Sequence, residues 1–266
     1  MYIAIVHDYH SDERPGGADL TIKRMIETAP KGIELVWLTF RNDLQLNYYD
    51  KLIIANSRTI SPATLEHLIE GKKFVKIHFD YGYVAPKITR EAKLLVFMSP
   101  KQRDDMGGRD YHSHVMPSLV DPSLFYPADK PGEGHLWVGN YSRQKGIRAL
   151  WEWAETNQVH IDCFGHGTPR VYLEQSKFCH VREPVLYSEM PSLYKRYRTL
   201  VHLPKGLEAG SRVFIEAILS GLEVVTNEFE GDRSFERPNC PDSWRGQLKC
   251  APADFWRATI EALSSE

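Results

Sequence analysis

Residues 203–228 read LPKGLEAGSRVFIEAILSGLEVVTNE, and they decide the fold prediction because a loop, a helix and a strand follow one another within them. Apolar residues recur at the i, i+3, i+4, i+7 spacing of a helix face that packs on a core: Ile215, Ile218, Leu219 and Leu222. Ser211 is the candidate N-cap of this helix. Glu208 lies in the Gly-containing loop before the helix, and Glu216 lies inside its first turns. This order predicts one repeat of a parallel α/β sheet.

The same alternation extends through most of the chain. In the first half, strand-like apolar runs occupy residues 2–6, 33–40, 51–55, 73–77 and 94–98, with helix-period segments between several of them. In the second half, the strand-like runs are HLWVG, VHIDCF, TLVHL and LEVVTN, again with helical stretches between them. The stretch between the halves, residues 117–134, is rich in Pro and Gly and lacks periodicity, which is typical of a linker. The pattern predicts two doubly wound, Rossmann-like α/β domains.

We therefore predict an N-terminal Rossmann-like domain over residues 1–125, a linker over 126–134, a C-terminal Rossmann-like domain over 135–250, and a C-terminal helix over 251–266. Ligands of doubly wound domains bind beyond the carboxyl ends of the parallel strands. Two such domains are expected to face a cleft that these strand ends line.

The composition excludes several classes of protein. The 266 residues are 42% hydrophobic and 26% charged, as in an ordinary globular protein. A formal net charge of −2 argues against binding to polyanions through bulk charge. The four cysteines show neither CxxC nor zinc-ligand spacing. No apolar run approaches the ~18 residues of a membrane span, and no secretory signal is recognisable, so we expect a cytoplasmic enzyme or binding protein.

Glycine-containing loops follow several of the predicted strands. They are RPGGAD (14–19), VGNYSRQKG (138–146), FGHGT (164–168) and KGLEAGS (205–211). None is a GxGxxG or Walker loop, which argues against dinucleotide binding and P-loop chemistry. Each is either a tight turn or a place where backbone amides at a helix N-terminus hold phosphate oxygens. Gly16, Gly17, Gly165 and Gly210 are the candidate ligand-binding glycines.

The segment EAGSRVFIEAILSGLEVVTNE resembles the Glu-x7-Glu signature of retaining glycosyltransferases of the GT-B fold, particularly family 4. Glu208 and Glu216 match the two signature acids, and Gly221 ends the helix as in the family pattern. RPGGAD, VGNYSRQKG and FGHGT resemble, in the expected order, the Gly-Gly loop, the cationic segment and the Gly-x-Gly turn of these enzymes. The resemblance covers residues 135–231 well and the first half only through its Gly-Gly loop and general pattern.

The resemblance implies a compact GT-B enzyme that transfers a hexose from a nucleoside-diphosphate sugar to an acceptor hydroxyl with retention. In such an enzyme the domain over residues 1–125 would bind the acceptor, and the domain over 135–250 would bind the nucleotide sugar. The donor is expected to be a UDP-sugar rather than a GDP-sugar, with no cofactor and no metal. Glu208 would bind sugar hydroxyls and Glu216 ribose hydroxyls, both side chains facing the ligand and not the core. The amides of Gly210 and Ser211 would hold the diphosphate.

The resemblance also implies a cationic clamp on the leaving diphosphate, which carries growing negative charge during transfer. Lys145 matches the lysine of the family pattern. The chain departs from that pattern at Asn140, where the family usually has an arginine, and Arg143 is the candidate replacement. Arg212 stands at the helix start, either as a further ligand of the donor or as a surface side chain.

A histidine of the first domain often contacts the donor sugar in this family. His78 follows a predicted strand and is our candidate, with His7 as its rival after the first strand. The alternative for either is a purely structural hydrogen bond.

The acceptor is the least determined part of the prediction. A glycan, a lipid-linked group or a small-molecule hydroxyl is expected, and a hydroxymethylated base of viral DNA is the alternative. Lysine and arginine outnumber acids over residues 72–109, which fits either a surface for phosphates or an ordinary solvated face. An interpretation of another class is a non-catalytic module that binds a nucleotide sugar.

Overall fold

The computed structural model describes residues 1–8, 16–39, 46–57, 59–82, 84–167 and 171–265. The chain divides into two compact units, one formed by Met1–Leu119 with Cys250–Glu266 and the other by Val120–Lys249. Each unit contains one parallel sheet with helices between most of its successive strands, which confirms the predicted fold class.

The sheet of the first unit has six strands in the order β2-β1-β3-β4-β5-β6. All of its strand pairs are parallel. The strands are β1 (Tyr2–His7), β2 (Glu34–Thr39), β3 (Lys51–Ile54), β4 (Lys73–His78), β5 (Leu94–Phe97) and β6 (Ser113–Val115). The first five match the predicted apolar runs, whose hydrophobic character reflects burial of a parallel sheet on both faces. Strand β6 escaped prediction because it is a three-residue edge strand without an apolar run.

Three of the four described helices of the first unit have proline in their first turn. The four helices are α1 (Gly17–Glu27), α2 (Pro62–Leu68), α3 (Pro86–Glu91) and α4 (Pro100–Asp105). The Ser61 hydroxyl accepts a hydrogen bond from the Thr64 amide at 3.1 Å, and proline occupies the first turn of α2. Ser99 caps α4 in the same way by accepting from the Gln102 amide at 3.2 Å. These caps satisfy amides that have no partner within a first helical turn.

The sheet of the second unit has five parallel strands in the order β11-β10-β7-β8-β9. The strands are β7 (His135–Asn140), β8 (Ile161–His166), β9 (Cys179–Arg182), β10 (Thr199–His202) and β11 (Glu223–Thr226). The helices are α5 (Ile147–Asn157), α6 (Val171–Glu174), α7 (Met190–Tyr194) and α8 (Arg212–Leu219). Helix α9 (Pro241–Ser264) begins in this unit, and its residues from Cys250 on belong to the first unit. Helix α8 carries the predicted apolar face, and Ile215, Ile218 and Leu219 are buried in the core.

The boundary between the units lies before the predicted one. Phe125, the last residue of the predicted first domain, is fully buried in the core of the second unit. The Arg245 guanidinium holds this segment by donating to the carbonyls of Pro122 at 2.8 Å, Phe125 at 3.0 Å and Leu219 at 2.9 Å. The C-terminal helix also begins at Pro241 and not at residue 251. Burial of individual side chains, which composition does not show, sets these limits.

Candidate active site

The loops that carry the predicted site of the second unit all follow the carboxyl ends of its strands. Because the strands are parallel, these loops lie at one edge of the sheet, where α/β folds bind ligands. The structure brings together residues from the loops after β7, β10 and β11 and from the start of helix α8.

Lys145 and Glu208 form an ion pair at this edge, although 63 positions separate them in the chain. The Lys145 side chain is 32% exposed and that of Glu208 is 17% exposed, so both remain within reach of a ligand. Burial alone would raise the pKa of Glu208, but attraction to Lys145 and His202 outweighs it and lowers the pKa. Glu208 is therefore ionised at neutral pH and able to accept hydrogen bonds from hydroxyl groups.

The segment after β11 and the end of β10 hold Glu208 through backbone hydrogen bonds and nearby buried polar side chains. The Glu208 amide donates to the Phe229 carbonyl at 2.9 Å, and the Glu208 carbonyl accepts from the Gly231 amide at 3.0 Å. His202 Nε2 lies 2.9 Å from Glu230 Oε2, and both side chains are buried. His202 and Glu230 are not among the predicted site residues, although the acid-rich NEFEGD after the last predicted strand is a signal for Glu230.

The start of helix α8 differs from prediction at Ser211. Ser211 occupies the N-cap position, but its hydroxyl makes no capping hydrogen bond. Its amide donates to Asp232 Oδ2 at 2.6 Å, so this amide is already occupied and is not open to a diphosphate. Burial, followed by repulsion from Glu230, raises the pKa of Asp232 well above its usual value. Among the predicted anion-binding amides, that of half-buried Gly210 remains a candidate.

Glu216 is buried, and side chains of the second unit donate hydrogen bonds to its carboxylate. It is 2% exposed and accepts hydrogen bonds from the Tyr194 hydroxyl at 3.1 Å and the Tyr187 hydroxyl at 3.3 Å. Arg212 Nη2 lies 3.3 Å from Glu216 Oε1. Burial raises the pKa of Glu216 even though Arg212 and both tyrosines favour the carboxylate. The two tyrosines were not predicted as site residues.

Arg212 belongs to the same cluster, so the alternative of a surface side chain is wrong. It is 8% exposed, and its Nη2 donates to the Tyr187 hydroxyl at 2.5 Å. The guanidinium also lies over the Tyr187 ring, 5.3 Å from the ring centre. Burial raises the pKa of Tyr187, which keeps its hydroxyl protonated as a donor. We call Tyr187, Tyr194, Arg212 and Glu216 the α8 cluster.

Arg143 and Asn140 are both exposed, in contrast to Lys145. Asn140 ends β7, and its carbonyl accepts from the Ser142 amide at 2.6 Å. Within the described parts of the chain, the Arg143 side chain makes no ion pair or hydrogen bond. That Arg143 replaces the arginine that the family usually has at the position of Asn140 thus stays a prediction.

Gly165 has a steric role in the sheet. A Cβ atom at this position would lie 1.9 Å from the carbonyl oxygen of Gly139 on the neighbouring strand. Gly146 is under a similar constraint, because its φ is +71° and a Cβ atom would lie 1.6 Å from the Leu203 carbonyl oxygen. These glycines let the loops of the candidate site approach the sheet closely.

In the first unit, Gly16 and Gly17 start helix α1 and are exposed. The Gly16 amide donates to Asp19 Oδ2 at 2.8 Å. Asp19 Oδ1 also lies 3.5 Å from His7 Nε2, and both side chains are completely buried. His7 is thus held within the fold by Asp19, as expected of a structural histidine.

His78 is buried at the carboxyl end of β4. It is 4% exposed, and its ring stacks on that of Phe97 with 4.8 Å between ring centres. Its Nε2 has no hydrogen-bond partner among the residues that the structure describes. Burial, followed by repulsion from Lys76, lowers the pKa of His78 to about 3. His78 is therefore a neutral imidazole at physiological pH.

This burial predicts acid sensitivity. The pKa of His78 in the folded protein lies below the value of 6.5 for an exposed histidine. Below pH 6.5 the unfolded chain therefore binds a proton at His78 that the folded chain does not bind. Stability is lost as pH falls from 6.5 towards 3, and we expect His78 to account for a loss of about 2 kcal/mol at pH 5. Urea unfolding of wild type and His78→Phe at pH 7 and pH 5 measures it. Substitution of His67, whose side chain is 84% exposed, is the control. Equal pH dependence of wild type and His78→Phe would contradict the prediction.

The basic run of residues 72–109 is not a continuous cationic surface. Lys76 is 3% exposed and donates from its ammonium group to the Ala55 carbonyl. Arg109 and Arg103 both pair with Asp104, at 2.7 Å and 3.1 Å. These contacts favour the solvated-face interpretation over a polyanion-binding surface.

Within the described ranges, no three His, Cys, Asp or Glu side chains are grouped as a metal site requires. No described helix is both long and apolar enough to span a bilayer.

Comparison with known proteins places the fold. No protein-family model matches the chain, and no curated protein matches it. Among solved structures, AviGT4, a glycosyltransferase involved in avilamycin A biosynthesis, is 18% identical with a TM-score of 0.66, covering 98% of this chain and 92% of its own. HepE of Anabaena in complex with UDP and glucose is 14% identical with a TM-score of 0.68, covering 98% and 94%. Sucrose-phosphate synthase of Thermosynechococcus elongatus is 13% identical with a TM-score of 0.67, covering 98% and 93%. The chain has the GT-B fold of these glycosyltransferases.

Proposed function

We propose that this protein is a retaining glycosyltransferase that moves a hexose from a UDP-sugar to an acceptor hydroxyl without a metal ion. The observation that carries the proposal is the Lys145–Glu208 ion pair at the carboxyl edge of the second sheet, next to the start of helix α8. It supplies a cation and an ionised acid at the place where α/β folds bind ligands. The similarity to HepE, which has been crystallised with UDP-glucose and with UDP, supports the choice of donor.

Lys145 is proposed to neutralise the leaving diphosphate. Sugar transfer builds negative charge on the leaving oxygen and oxocarbenium character on the sugar, so a cation fixed nearby stabilises the transition state more than the ground state. The Glu208 carboxylate holds the Lys145 ammonium beside it. With donor bound, the ammonium turns to the phosphate and the Glu208 carboxylate accepts hydrogen bonds from sugar hydroxyls.

Glu216 is proposed to accept the ribose hydroxyls as the organising acid of the α8 cluster. The tyrosine hydroxyls and Arg212 already point their donors at it, and both of its oxygens accept hydrogen bonds. A carboxylate offers about four lone-pair sites, which leaves capacity for a ribose diol. Arg143 is proposed as a second, weaker cation for the diphosphate, because its side chain is exposed on the same turn as Lys145.

The acceptor is proposed to be the hydroxyl of a glycan, a lipid-linked sugar or a small molecule. The DNA alternative loses its main support because Lys76 is buried and Asp104 neutralises two arginines of the basic run.

A panel of nucleotide sugars tests the proposal and separates it from the non-catalytic alternative. We expect one UDP-sugar at roughly 100 times its dissociation constant to stabilise the protein by about 2.7 kcal/mol in thermal unfolding. The same UDP-sugar should be hydrolysed slowly in the presence of EDTA. The matched control is the corresponding GDP-sugar. Stabilisation without any hydrolysis or transfer would favour the binding module, and neither effect with any donor would refute the proposal.

A further inference from the structure

Asp232 is a buried acid to which the proposed function gives no role. It lies in the loop after β11, in the 3₁₀ turn Gly231–Ser234, and its side chain is completely buried. Its Oδ2 atom accepts a hydrogen bond from the Ser211 amide at 2.6 Å, at the start of helix α8. Its Oδ1 atom is buried and has no hydrogen-bond partner among the residues that the structure describes. Buried polar atoms of native proteins are normally paired, so this oxygen requires an explanation.

The side chains around Asp232 are acidic. Glu230 Oε1 accepts a hydrogen bond from the Asp232 amide at 3.1 Å, which places the Glu230 carboxylate beside this residue. Glu208 is joined to the same loop by two backbone hydrogen bonds. The two basic side chains of this group are paired with the other two acids, Lys145 with Glu208 and His202 with Glu230.

A proton on Asp232 explains both observations. A carboxylate buried without a cation is so costly that the group takes up a proton instead. The protonated acid has one O–H donor, and the neighbouring Glu230 carboxylate can accept it. Burial, followed by repulsion from Glu230 and then from Glu208, raises the pKa of Asp232 well above its usual value. Burial, the acidic neighbours and the unpaired oxygen together describe a neutral carboxylic acid.

The neutral form has a consequence for the start of helix α8. Ser211 is the N-cap of this helix, and the aligned peptide dipoles of a helix leave positive potential at that end. The proposed donor diphosphate would lie against it, where the Gly210 amide remains a candidate ligand. A carboxylate on the Ser211 amide would cancel part of the potential and repel the diphosphate. A neutral acid holds the same amide and adds no negative charge.

We propose that Asp232 is a positioning residue for donor binding, a neutral acid that anchors the start of helix α8 without placing a negative charge beside the diphosphate. The inference rests on the proposed function, because it assigns this helix end to a nucleoside diphosphate. It adds one requirement to the site, namely that the acid next to the diphosphate keeps its proton.

Asp232→Asn tests the neutral form, because asparagine keeps an acceptor oxygen for the Ser211 amide and carries no charge at any pH. The folded wild type retains a proton on Asp232 that the unfolded chain releases above the usual pKa of 3.8, so wild-type stability falls relative to the variant as pH rises. Between pH 5 and pH 8 we expect the ratio of the two folding constants to shift in favour of the variant by up to about tenfold per pH unit. Urea unfolding measures this ratio. The matched control is Asp129→Asn, at an exposed aspartate of the same unit, which should keep a constant ratio to wild type.

Calorimetry with UDP at pH 7 tests the positioning role. Asp232→Ala removes the anchor of the Ser211 amide, and we expect the dissociation constant of UDP to rise roughly fivefold, as for the loss of one hydrogen bond. Asp232→Asn is the conservative variant, and it should recover the wild-type affinity to within about twofold because it keeps that hydrogen bond. Thermal unfolding checks that each variant is folded.

Each arm has an outcome that would overturn the inference. A constant ratio of folding constants between Asp232→Asn and wild type from pH 5 to pH 8 would show that Asp232 is a carboxylate in the folded protein. UDP affinity weakened about tenfold or more in Asp232→Asn would show that binding requires the negative charge. Wild-type affinity in a folded Asp232→Ala would remove the positioning role. Absence of UDP binding by the wild type would refute the proposed function and the positioning role together, and it differs from the other outcomes because the unfolding experiment would still report the neutral acid.

Discussion

Replacement of Glu216 by alanine is expected to lower the free energy of unfolding by about 3–5 kcal/mol, the usual cost of removing one partner from a buried ion pair. The change would leave the Arg212 guanidinium and the hydroxyls of Tyr187 and Tyr194 without their common acceptor in the interior. Loss of activity in this variant would therefore not identify a ligand contact.

Glu216→Gln separates the structural role from the proposed ribose contact. Glutamine keeps the shape and one acceptor oxygen, so we expect a smaller loss of stability than for alanine. If Glu216 binds ribose hydroxyls, this variant should still weaken UDP binding by the ~1.5–3 kcal/mol typical of a charged hydrogen bond. Urea unfolding and calorimetry with UDP measure the two effects. Glu223→Gln, an exposed acid in the same unit that pairs with Arg198, is the control. Unchanged UDP affinity in Glu216→Gln would remove the ribose assignment and leave Glu216 as a structural acid.

Replacement of Lys145 by methionine is expected to lower the catalytic rate of sugar transfer about 100- to 1,000-fold, as is typical for removal of one group that stabilises a transition-state charge. The dissociation constant of the donor should rise much less, because the charge on the leaving oxygen is largest in the transition state. The Lys145→Met substitution also removes the cation that lowers the pKa of Glu208. Part of the loss should then appear as a shift of the acidic limb of the pH–rate profile to higher pH.

Single-turnover kinetics across pH separate these two contributions. Lys145→Arg should recover part of the rate and restore the acidic limb, since it keeps the charge beside Glu208. Arg143→Met is the matched control on the same turn, and we expect a loss of less than tenfold because this side chain is exposed. A Lys145→Met variant with a raised dissociation constant and a normal rate would show that Lys145 only binds the ground state.

The elements of this fold were predictable from local sequence. Strands such as β3 and β5 are short, apolar and buried, which is the pattern of a parallel sheet covered on both faces. The start of helix α2 is marked by Ser61 at the N-cap and Pro62 in the first turn. These signals depend on contacts between residues that are close in sequence, so they can be recognised from the sequence alone.

The candidate site was predictable as a set of residues but not as an arrangement. Spacing and resemblance singled out Lys145, Glu208, Glu216 and His78. Only the structure shows that Lys145 meets Glu208, because the strand order places the β7 and β10 loops side by side.

Burial is the property that tertiary structure alone decided. The local sequence pattern does not show that Lys76 is buried while other lysines of the basic run are solvated. It also does not show that the Glu216 carboxylate is buried. The difference arises because side chains from distant segments, such as Tyr187 for Glu216 and Ala55 for Lys76, exclude water and supply the hydrogen bonds that make burial of a charge tolerable. The sequence by itself determined which polar groups are present and on which strand or helix they lie. The packing of those elements determined which groups are desolvated, and desolvation sets their pKa values and chemistry.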